Sequence, residues 1–251
     1  MKIRLFFLVV TIIATIMLVY FIKYNKKTNL VTDQNLKEVL TEVIVINTPI
    51  LTETPTIIEP IVEYTTGSII VFGGSNWLIL DIIDNLAKII SVDIIEKREY
   101  HSADTPITWA SSNIRRYLNN DFYSSFSDDE RACIVETTLI NENNHWYGTN
   151  AGVNTQDKIF LLSVSEVVRY FGDSTQLSER PRNAQIIKDE YNEKRIAEYN
   201  GVASWWWLRS PGSFSFRATR VDNNGNIDMS SNHIYDAEGG LRPAMWINLE
   251  T

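Results

Sequence analysis

Apolar and β-branched residues follow Gly67 in three closely spaced runs. The runs cover residues 68–72, 77–83 and 87–95, and short Gly-Gly and Asp-Asn pairs separate them. Runs of this length and composition are typical of strands, and such pairs are typical of tight turns. The pattern therefore predicts an antiparallel meander at the start of a folded domain.

The middle of the chain changes to helical patterns. Residues 111–122 place apolar side chains four positions apart behind a pair of serines, which predicts a capped helix. Capping boxes at 127–130 and 163–166 each begin a further helix, and Gly172 is suited to end the second in a left-handed conformation. The charged segment 181–200 is predicted to be a loop that carries one exposed helix.

Strand patterns return in the last third. Residues 214–221 alternate, an Asn-Gly turn follows at 223–226, and strands are predicted at 158–162, 227–229 and 244–249. Helices thus lie between two sets of strands. This order predicts an α+β fold with antiparallel strands and a few short helices.

An uncharged apolar stretch, residues 5–22, lies near the amino terminus. As a helix it would be about 27 Å long, close to the hydrocarbon thickness of a bilayer. No small-x-small cleavage site follows it. We predict a single transmembrane anchor within residues 1–28, with a cleaved signal peptide as the alternative.

Residues 29–66 are rich in threonine, proline and β-branched residues, a composition typical of an extended stalk. A short strand at 39–46, packed on the domain, is the alternative. Basic residues flank the apolar stretch on both sides, so the positive-inside rule does not decide orientation. The stalk-like composition favours export, which would place the domain of residues 67–251 outside the cell.

The charge is uneven along the chain. Residues 1–66 contain six basic and six acidic side chains, so the whole net charge of -8 lies in residues 67–251. An acidic domain is poorly suited to nucleic acid, whose binding depends on neutralising phosphates. The single cysteine, Cys133, excludes an internal disulfide.

Several motifs, in order, resemble a bacterial family known as domain of unknown function 6273. They are Val-Phe-Gly at 71–73, Thr-Trp-Ala-Ser-Ser-Asn-Ile-Arg-Arg-Tyr-Leu-Asn at 108–119, Lys-Ile-Phe-Leu-Leu-Ser at 158–163, Trp-Trp-Leu-Arg-Ser-Pro-Gly at 206–212 and Gly-Leu-Arg-Pro-Ala at 240–244. The ordered set is more specific than any one motif. It covers the chain from about Gly67 to the end.

The last two motifs are also similar to the closing half of C-type-lectin-like and formylglycine-generating folds. This resemblance implies a C-type-lectin-like scaffold, and fold alone does not imply function. The formylglycine-generating enzymes need a reactive cysteine pair, whereas this chain has only Cys133. Sugar-binding lectins carry Glu-Pro-Asn or Gln-Pro-Asp at their calcium site, and neither tripeptide occurs here.

Three consecutive tryptophans are the most conspicuous candidates for a binding surface. In a strand, Trp205 and Trp207 point to one face and Trp206 to the other, so at least one face enters the core. We expect Trp206 and Trp207 to pack. Trp205, with Trp146 and Tyr147, is the candidate for stacking on a sugar ring or a partner protein.

Arg209 and Arg242 lie inside the two most apolar motifs. A buried charge is tolerated only when it is paired, so both guanidinium groups are predicted to be anchors that donate to carbonyls or a carboxylate. Binding of an anionic ligand is the alternative.

Cys133 and the turn at 222–228 are weaker candidates. A cysteine early in a capped helix becomes a nucleophile only with a base beside it, and a small buried thiol is the simpler interpretation. The turn imitates a calcium loop, but Ile227 and His233 stand where an EF-hand needs glycine and glutamate. No metal site, cofactor or catalytic residue is predicted.

These patterns favour a membrane-anchored, cell-surface binding or interaction module without catalytic function. Its ligand would be a glycan, a cell-wall component or a protein. An enzyme that uses Cys133 and a purely structural domain of a surface assembly are the alternatives.

Overall fold

The structure is a computed structural model that describes residues 64–172 and 174–250. The strands, in chain order, are β1 (Ile69–Phe72), β2 (Ser75–Ile83), β3 (Leu86–Ser91), β4 (Glu96–Lys97), β5 (Ile134–Val135), β6 (Thr137–Leu139), β7 (Thr155–Asp157), β8 (Ile159–Phe160), β9 (Ile186–Ile187), β10 (Ala197–Tyr199), β11 (Val202–Ser204), β12 (Trp206–Pro211), β13 (Arg217–Val221), β14 (Ile227–His233), β15 (Gly240–Leu241) and β16 (Ala244–Asn248). The helices are α1 (Asn113–Tyr117), α2 (Asp128–Cys133), α3 (Val164–Phe171) and α4 (Asn192–Arg195). A π-helix, Leu118–Phe122, directly follows α1, and the longest of the four α-helices has eight residues. The predicted α+β class with few short helices is confirmed.

The first sheet is built on the predicted meander. Strands β1, β2 and β3 pair in antiparallel order, and β16 adds to β3 from the far end of the chain. The other edge of β16 pairs with β5 and with β8. Gly73 and Gly74 form the first turn with φ of 56° and 71°, a region that favours glycine. The last strand thus completes a sheet that the first strands begin.

The second sheet has the order β4, β15, β12, β13, β14, β9. Its pairs are antiparallel except β12 with β15, which run parallel through Trp206 and Gly240. The predicted Asn-Gly hairpin joins β13 to β14. Two small hairpins, β6 with β7 and β10 with β11, stand apart from the two large sheets.

Both predicted capping boxes are present. Ser127 and Glu130 start α2, and Ser163 and Glu166 start α3, each with the reciprocal pair of hydrogen bonds. The expectation of a left-handed cap at Gly172 is wrong, since this residue has φ 150° and ψ 141°. An added Cβ there would lie 2.0 Å from the Tyr191 ring. Close packing, together with this φ, accounts for the glycine.

The predicted exposed helix in segment 181–200 is also wrong. Residues Ile186–Ile187 instead form β9 on the edge of the second sheet, and the helix α4 is one turn long. Arg195 in that turn is fully buried, and its Nη2 lies 2.9 Å from Asp189 Oδ2. Tertiary pairing overrides the local helical pattern here. Two predicted strands are shorter than expected, since 158–162 becomes β8 and 214–221 becomes β13.

Four of the seven tryptophans lie in the core: Trp77, Trp109, Trp206 and Trp207, each with at most 1% of its surface exposed. Each indole N–H donates to a protein oxygen at 2.8–3.0 Å. A buried indole needs such a partner, so these bonds fix the orientation of each ring.

No helix among the described residues is long and apolar enough to cross a membrane. The predicted anchor at 5–22 and the predicted stalk at 29–66, except its last three residues, lie outside the described part of the chain.

Candidate functional site

The three consecutive tryptophans use both faces of their segment. Trp206 donates to the Arg195 carbonyl and Trp207 to the Arg98 carbonyl. Trp205, just before β12, is half-buried, and its ring meets that of Trp207 at 4.7 Å and 86°. The guanidinium of Arg220 lies 4.9 Å from the Trp205 ring. The predicted alternation is present, and part of the Trp205 ring remains accessible.

Trp146 and Tyr147 form a separate cluster around Arg180. The Arg180 guanidinium lies 5.2 Å from the Trp146 ring and 4.4 Å from the Tyr147 ring, and it donates to the Tyr147 hydroxyl at 3.0 Å. The Trp146 indole donates to the carbonyls of Gln176 and Leu177. These contacts tie the 141–150 loop to the segment after α3.

Each of the three nitrogens of the Arg209 guanidinium donates a hydrogen bond. It donates to the carbonyls of Leu161 and Ile140, to the Asn141 side chain, and to the Glu166 carboxylate. Only 5% of its surface is exposed. The geometry is that of the predicted anchor, and it joins β12 to the start of α3.

Glu166 lies between two buried cations. Lys88 Nζ is 2.8 Å from Glu166 Oε1, and Arg209 pairs with Oε2. The Lys88 ammonium also lies 5.0–5.6 Å from the rings of Tyr170, Trp246 and Phe160. Burial alone would raise the pKa of Glu166, but the charges of Arg209 and Lys88 outweigh it and lower the pKa to about 2.

Arg242 occupies a different environment. Its Nε donates to the Ser91 carbonyl at 2.9 Å, and its guanidinium lies 4.9 Å from the Trp206 ring and 5.3 Å from the Phe171 ring. Burial lowers its pKa to about 10, and Asp93 opposes the shift. Nη1 is buried without a hydrogen-bond partner among the described residues. Cation–π contacts with the Trp206 and Phe171 rings thus stabilise the Arg242 guanidinium in place of an ion pair.

A cleft of about 220 Å³ opens beside Lys88, Glu166 and Arg209. On its rim, the Ser165 hydroxyl donates to Glu142 Oε2 and lies 3.0 Å from His145 Nε2, which is 3.4 Å from the same Glu142 oxygen. A serine triad needs the carboxylate on the other ring nitrogen, where it orients the base. This arrangement therefore does not match that of an acyl-transfer enzyme.

The remaining sequence candidates have structural partners. Cys133 is the last residue of α2, so it faces the carboxyl end of the helix rather than the amino end that favours a thiolate. In the hairpin turn, the Asp222 carboxylate accepts three N–H groups from Asn224 and Asn226. Among the described residues, no group of three or more His, Cys, Asp or Glu side chains is placed to hold a metal ion.

A row of stacked rings, not predicted from the sequence, lies on the surface at one end of β13 and β14. We call Phe214, Phe216, His233 and Tyr235 the aromatic row. Successive ring centroids are 5.3, 5.8 and 5.2 Å apart, with interplanar angles of 1°, 18° and 37°. Phe214 is 56% exposed and Tyr235 is 48% exposed.

Polar groups border the aromatic row. Asp104 Oδ1 lies 3.7 Å from His233 Nδ1, and the Arg217 guanidinium lies 5.9 Å from the Phe214 ring. Asp236, beside Tyr235 in sequence, accepts from the Asn232 amide at 2.6 Å. Apolar rings bordered by a few charged and amide groups are a common composition for a ligand site.

Residues 75–249 match the family described as Domain of unknown function (DUF6273). The chain belongs to this family. Comparisons with curated proteins and with solved structures give no match. The family match includes the second sheet, the first sheet apart from β1, and the aromatic row of this DUF6273 chain.

The five candidate residues predicted from the sequence make their contacts in four separate places of the DUF6273 domain. Arg209 lies with Glu166, Arg242 against Trp206, Trp205 against Trp207, and Trp146 with Tyr147. The sequence signal for the aromatic row is weak: in a strand, the Phe-x-Phe and His-x-Tyr spacings would each place two rings on one face. The two pairs of rings lie side by side only because Arg217 pairs with His233 in the register of β13 against β14.

Proposed function

We propose that this chain is a non-catalytic binding module that an amino-terminal anchor at 5–22 and a stalk at 29–66 hold outside the cell. The observation that carries the proposal is the aromatic row. Its two end rings are about half exposed, although four tryptophans of the same domain are fully enclosed. Exposed aromatic clusters of this kind commonly mark interaction sites.

A C-type-lectin-like scaffold is part of the proposal. Two sheets share one core, and the Trp-rich strand β12 lies beside β15, which begins the Gly-Leu-Arg-Pro-Ala motif. This arrangement supports the resemblance of the two closing motifs. The support concerns fold alone, and it brings no activity with it.

The ligand classes that suit this surface are a glycan, a cell-wall component or a protein. The net charge of -8 opposes phosphate-rich partners, so nucleic acid is not proposed. Trp205 and the Trp146–Tyr147 pair are proposed as secondary contacts, since all three are partly accessible. Arg209 and Arg242 are proposed to support the fold rather than to meet the ligand.

Binding to isolated cell envelopes tests the proposal. The full chain, purified in a detergent without a sugar headgroup, is expected to sediment with envelopes. The double variant F214A/Y235A should retain less than about a tenth of that binding, because it removes both exposed ends of the aromatic row.

Tyr64→Ala is the matched control, because Tyr64 is an exposed aromatic residue outside the aromatic row. It should bind like the wild type, and circular dichroism should show all variants folded. Envelope binding that is unchanged in the double variant would contradict the proposal.

A further inference from the structure

We infer that the aromatic row is a binding site for a neutral, hydroxyl-rich glycan chain, an inference that rests on the proposed function. The exposure of the rings, the polar groups beside them and the acidic charge of the domain support this ligand class.

The rings at the two ends of the aromatic row differ in orientation. The 1° angle between Phe214 and Phe216 makes them parallel, and Tyr235 turns by 37° at the other end. The two end rings are 56% and 48% exposed, so they offer apolar surface against which the C–H side of a pyranose can pack.

The polar border suits sugar hydroxyls. Asp104 is 55% exposed beside His233, so its carboxylate is open to hydroxyl donors. Asn232 and Asp236 hydrogen-bond each other next to Tyr235 in the chain, and the Arg217 guanidinium lies near Phe214. Polar side chains beside an apolar ring surface can accept from and donate to the hydroxyl groups of a ligand that packs on the rings.

The charge selects neutral glycans. Two carboxylates, Asp104 and Asp236, border the aromatic row, against the one guanidinium of Arg217. The domain as a whole carries the net charge of -8. The nearby carboxylates and the net charge of the domain would both repel sulfated or uronate-rich chains. Such chains should therefore bind more weakly than neutral chains.

The kinds of exposed side chain favour a glycan over a protein partner. The most exposed side chains at the two ends of the aromatic row, Phe214 and Tyr235, are both rings. A stable protein interface buries about 800 Å² on each partner around a mixed apolar centre. A single row of rings matches a narrow chain better than such a surface.

Titration with defined oligosaccharides tests the inference. The full chain in non-glycosidic detergent is titrated with β-1,4-linked glucose and N-acetylglucosamine hexamers, and with a glucuronate-containing oligomer of equal length. We expect at least one neutral hexamer to bind. Phe214→Ala and Tyr235→Ala should each weaken binding about tenfold, the scale of losing one stacked ring.

Two further variants separate stacking from general apolar contact. Phe214→Leu keeps an apolar side chain but removes the flat face, so it should weaken glycan binding nearly as much as Phe214→Ala. Tyr64→Ala should bind within about twofold of the wild type. Full retention of binding by Phe214→Leu would contradict the inference that the ligand stacks on the Phe214 ring.

Failure of this inference can be told from failure of the proposed function. Suppose envelope binding depends on Phe214 but survives periodate oxidation of sugars and is lost when envelope proteins are digested. Then the binding module stands and the glycan is the wrong ligand. Stronger binding of the anionic oligomer would overturn the neutral class, and envelope binding independent of the aromatic row would overturn both.

Discussion

Glu166 combines two roles in one side chain. Its Oε2 accepts from the Ser163 backbone N–H, which completes the capping box of α3, and the same carboxylate pairs with Lys88 and Arg209. Glu130 completes a matching capping box on α2, but its carboxylate is exposed. The chain therefore offers one capping glutamate in a buried ion cluster and one at the surface.

Acid should destabilise the domain through Glu166. Its pKa is about 2 in the folded state, against 4.5 in the unfolded chain. The lowered pKa contributes about 3 kcal/mol that is fully present above pH 4.5 and is lost as pH falls toward 2. Urea denaturation at several pH values should show this decline in the free energy of unfolding.

The substitution Glu166→Gln tests the same cluster at neutral pH. Glutamine keeps the capping hydrogen bond but leaves Lys88 and Arg209 without a counter-charge, which should cost about 3 kcal/mol. Glu130→Gln should change stability by less than about 0.5 kcal/mol. Equal losses in the two variants would contradict a special electrostatic role for Glu166.

The consecutive tryptophans should differ in cost. Trp207→Ala removes a fully buried ring and should lose about 4 kcal/mol, whereas Trp205→Ala should lose about 1–2 kcal/mol because Trp205 is only partly buried. Chemical denaturation followed by circular dichroism measures both. A Trp205→Ala variant as unstable as Trp207→Ala would make Trp205 a core residue.

At the scale of elements, the parallel contact of β12 with β15 depends on two glycines. A Cβ on Gly239 would lie 1.8 Å from Trp207 Nε1, and one on Gly240 would lie 2.6 Å from the Trp205 carbonyl oxygen. Trp207 cannot move, because its indole is buried and bonded to the Arg98 carbonyl. The Gly-Leu-Arg-Pro-Ala motif begins with glycine because β15 lies so close to the tryptophans.

Gly239→Ala should therefore destabilise the domain by about 3 kcal/mol through overpacking. Gly201→Ala is the matched control, since nothing lies within 4 Å of its added Cβ and only its φ of 76° opposes a side chain. That backbone strain should cost about 1 kcal/mol. Thermal melting of both variants should rank Gly239→Ala clearly below the control.

Local patterns predicted the elements whose signals are contained in a few residues. The meander, both capping boxes and the Asn-Gly hairpin follow from turn chemistry and side-chain hydrogen bonds within four residues. The segment containing β9 and α4 was mispredicted, because its structure depends on pairing with β14 and on the buried Arg195. Such long-range partners leave no local periodicity.

The same limit applied to the candidate site. The sequence drew attention to tryptophans, and two of the three consecutive ones turned out to fill the core, as predicted. The aromatic row joins residues 214–216 to residues 233–235, and the register of β13 against β14 decides that meeting. A one-residue change of register would have moved the rings to opposite faces.

At the scale of the whole molecule, the proposal requires residues 67–251 to lie outside the cell. We expect the full chain to fractionate with membranes and a variant without residues 1–28 to leave that fraction. Membrane association should depend on the deleted segment, because the predicted anchor at 5–22 lies within it.

Protease added to intact cells then tests orientation. If the domain is exported, protease should remove the epitope on residues 67–251 from the cells, while a cytoplasmic marker protein stays with them. The folded domain resists cleavage where its backbone is in sheets, so cutting should begin in the Thr- and Pro-rich segment 29–66 and release a large fragment. Complete protection of the epitope, with degradation only after lysis, would place the domain inside the cell. In that case the aromatic row could not meet an envelope glycan from outside, and a cytoplasmic partner would be required.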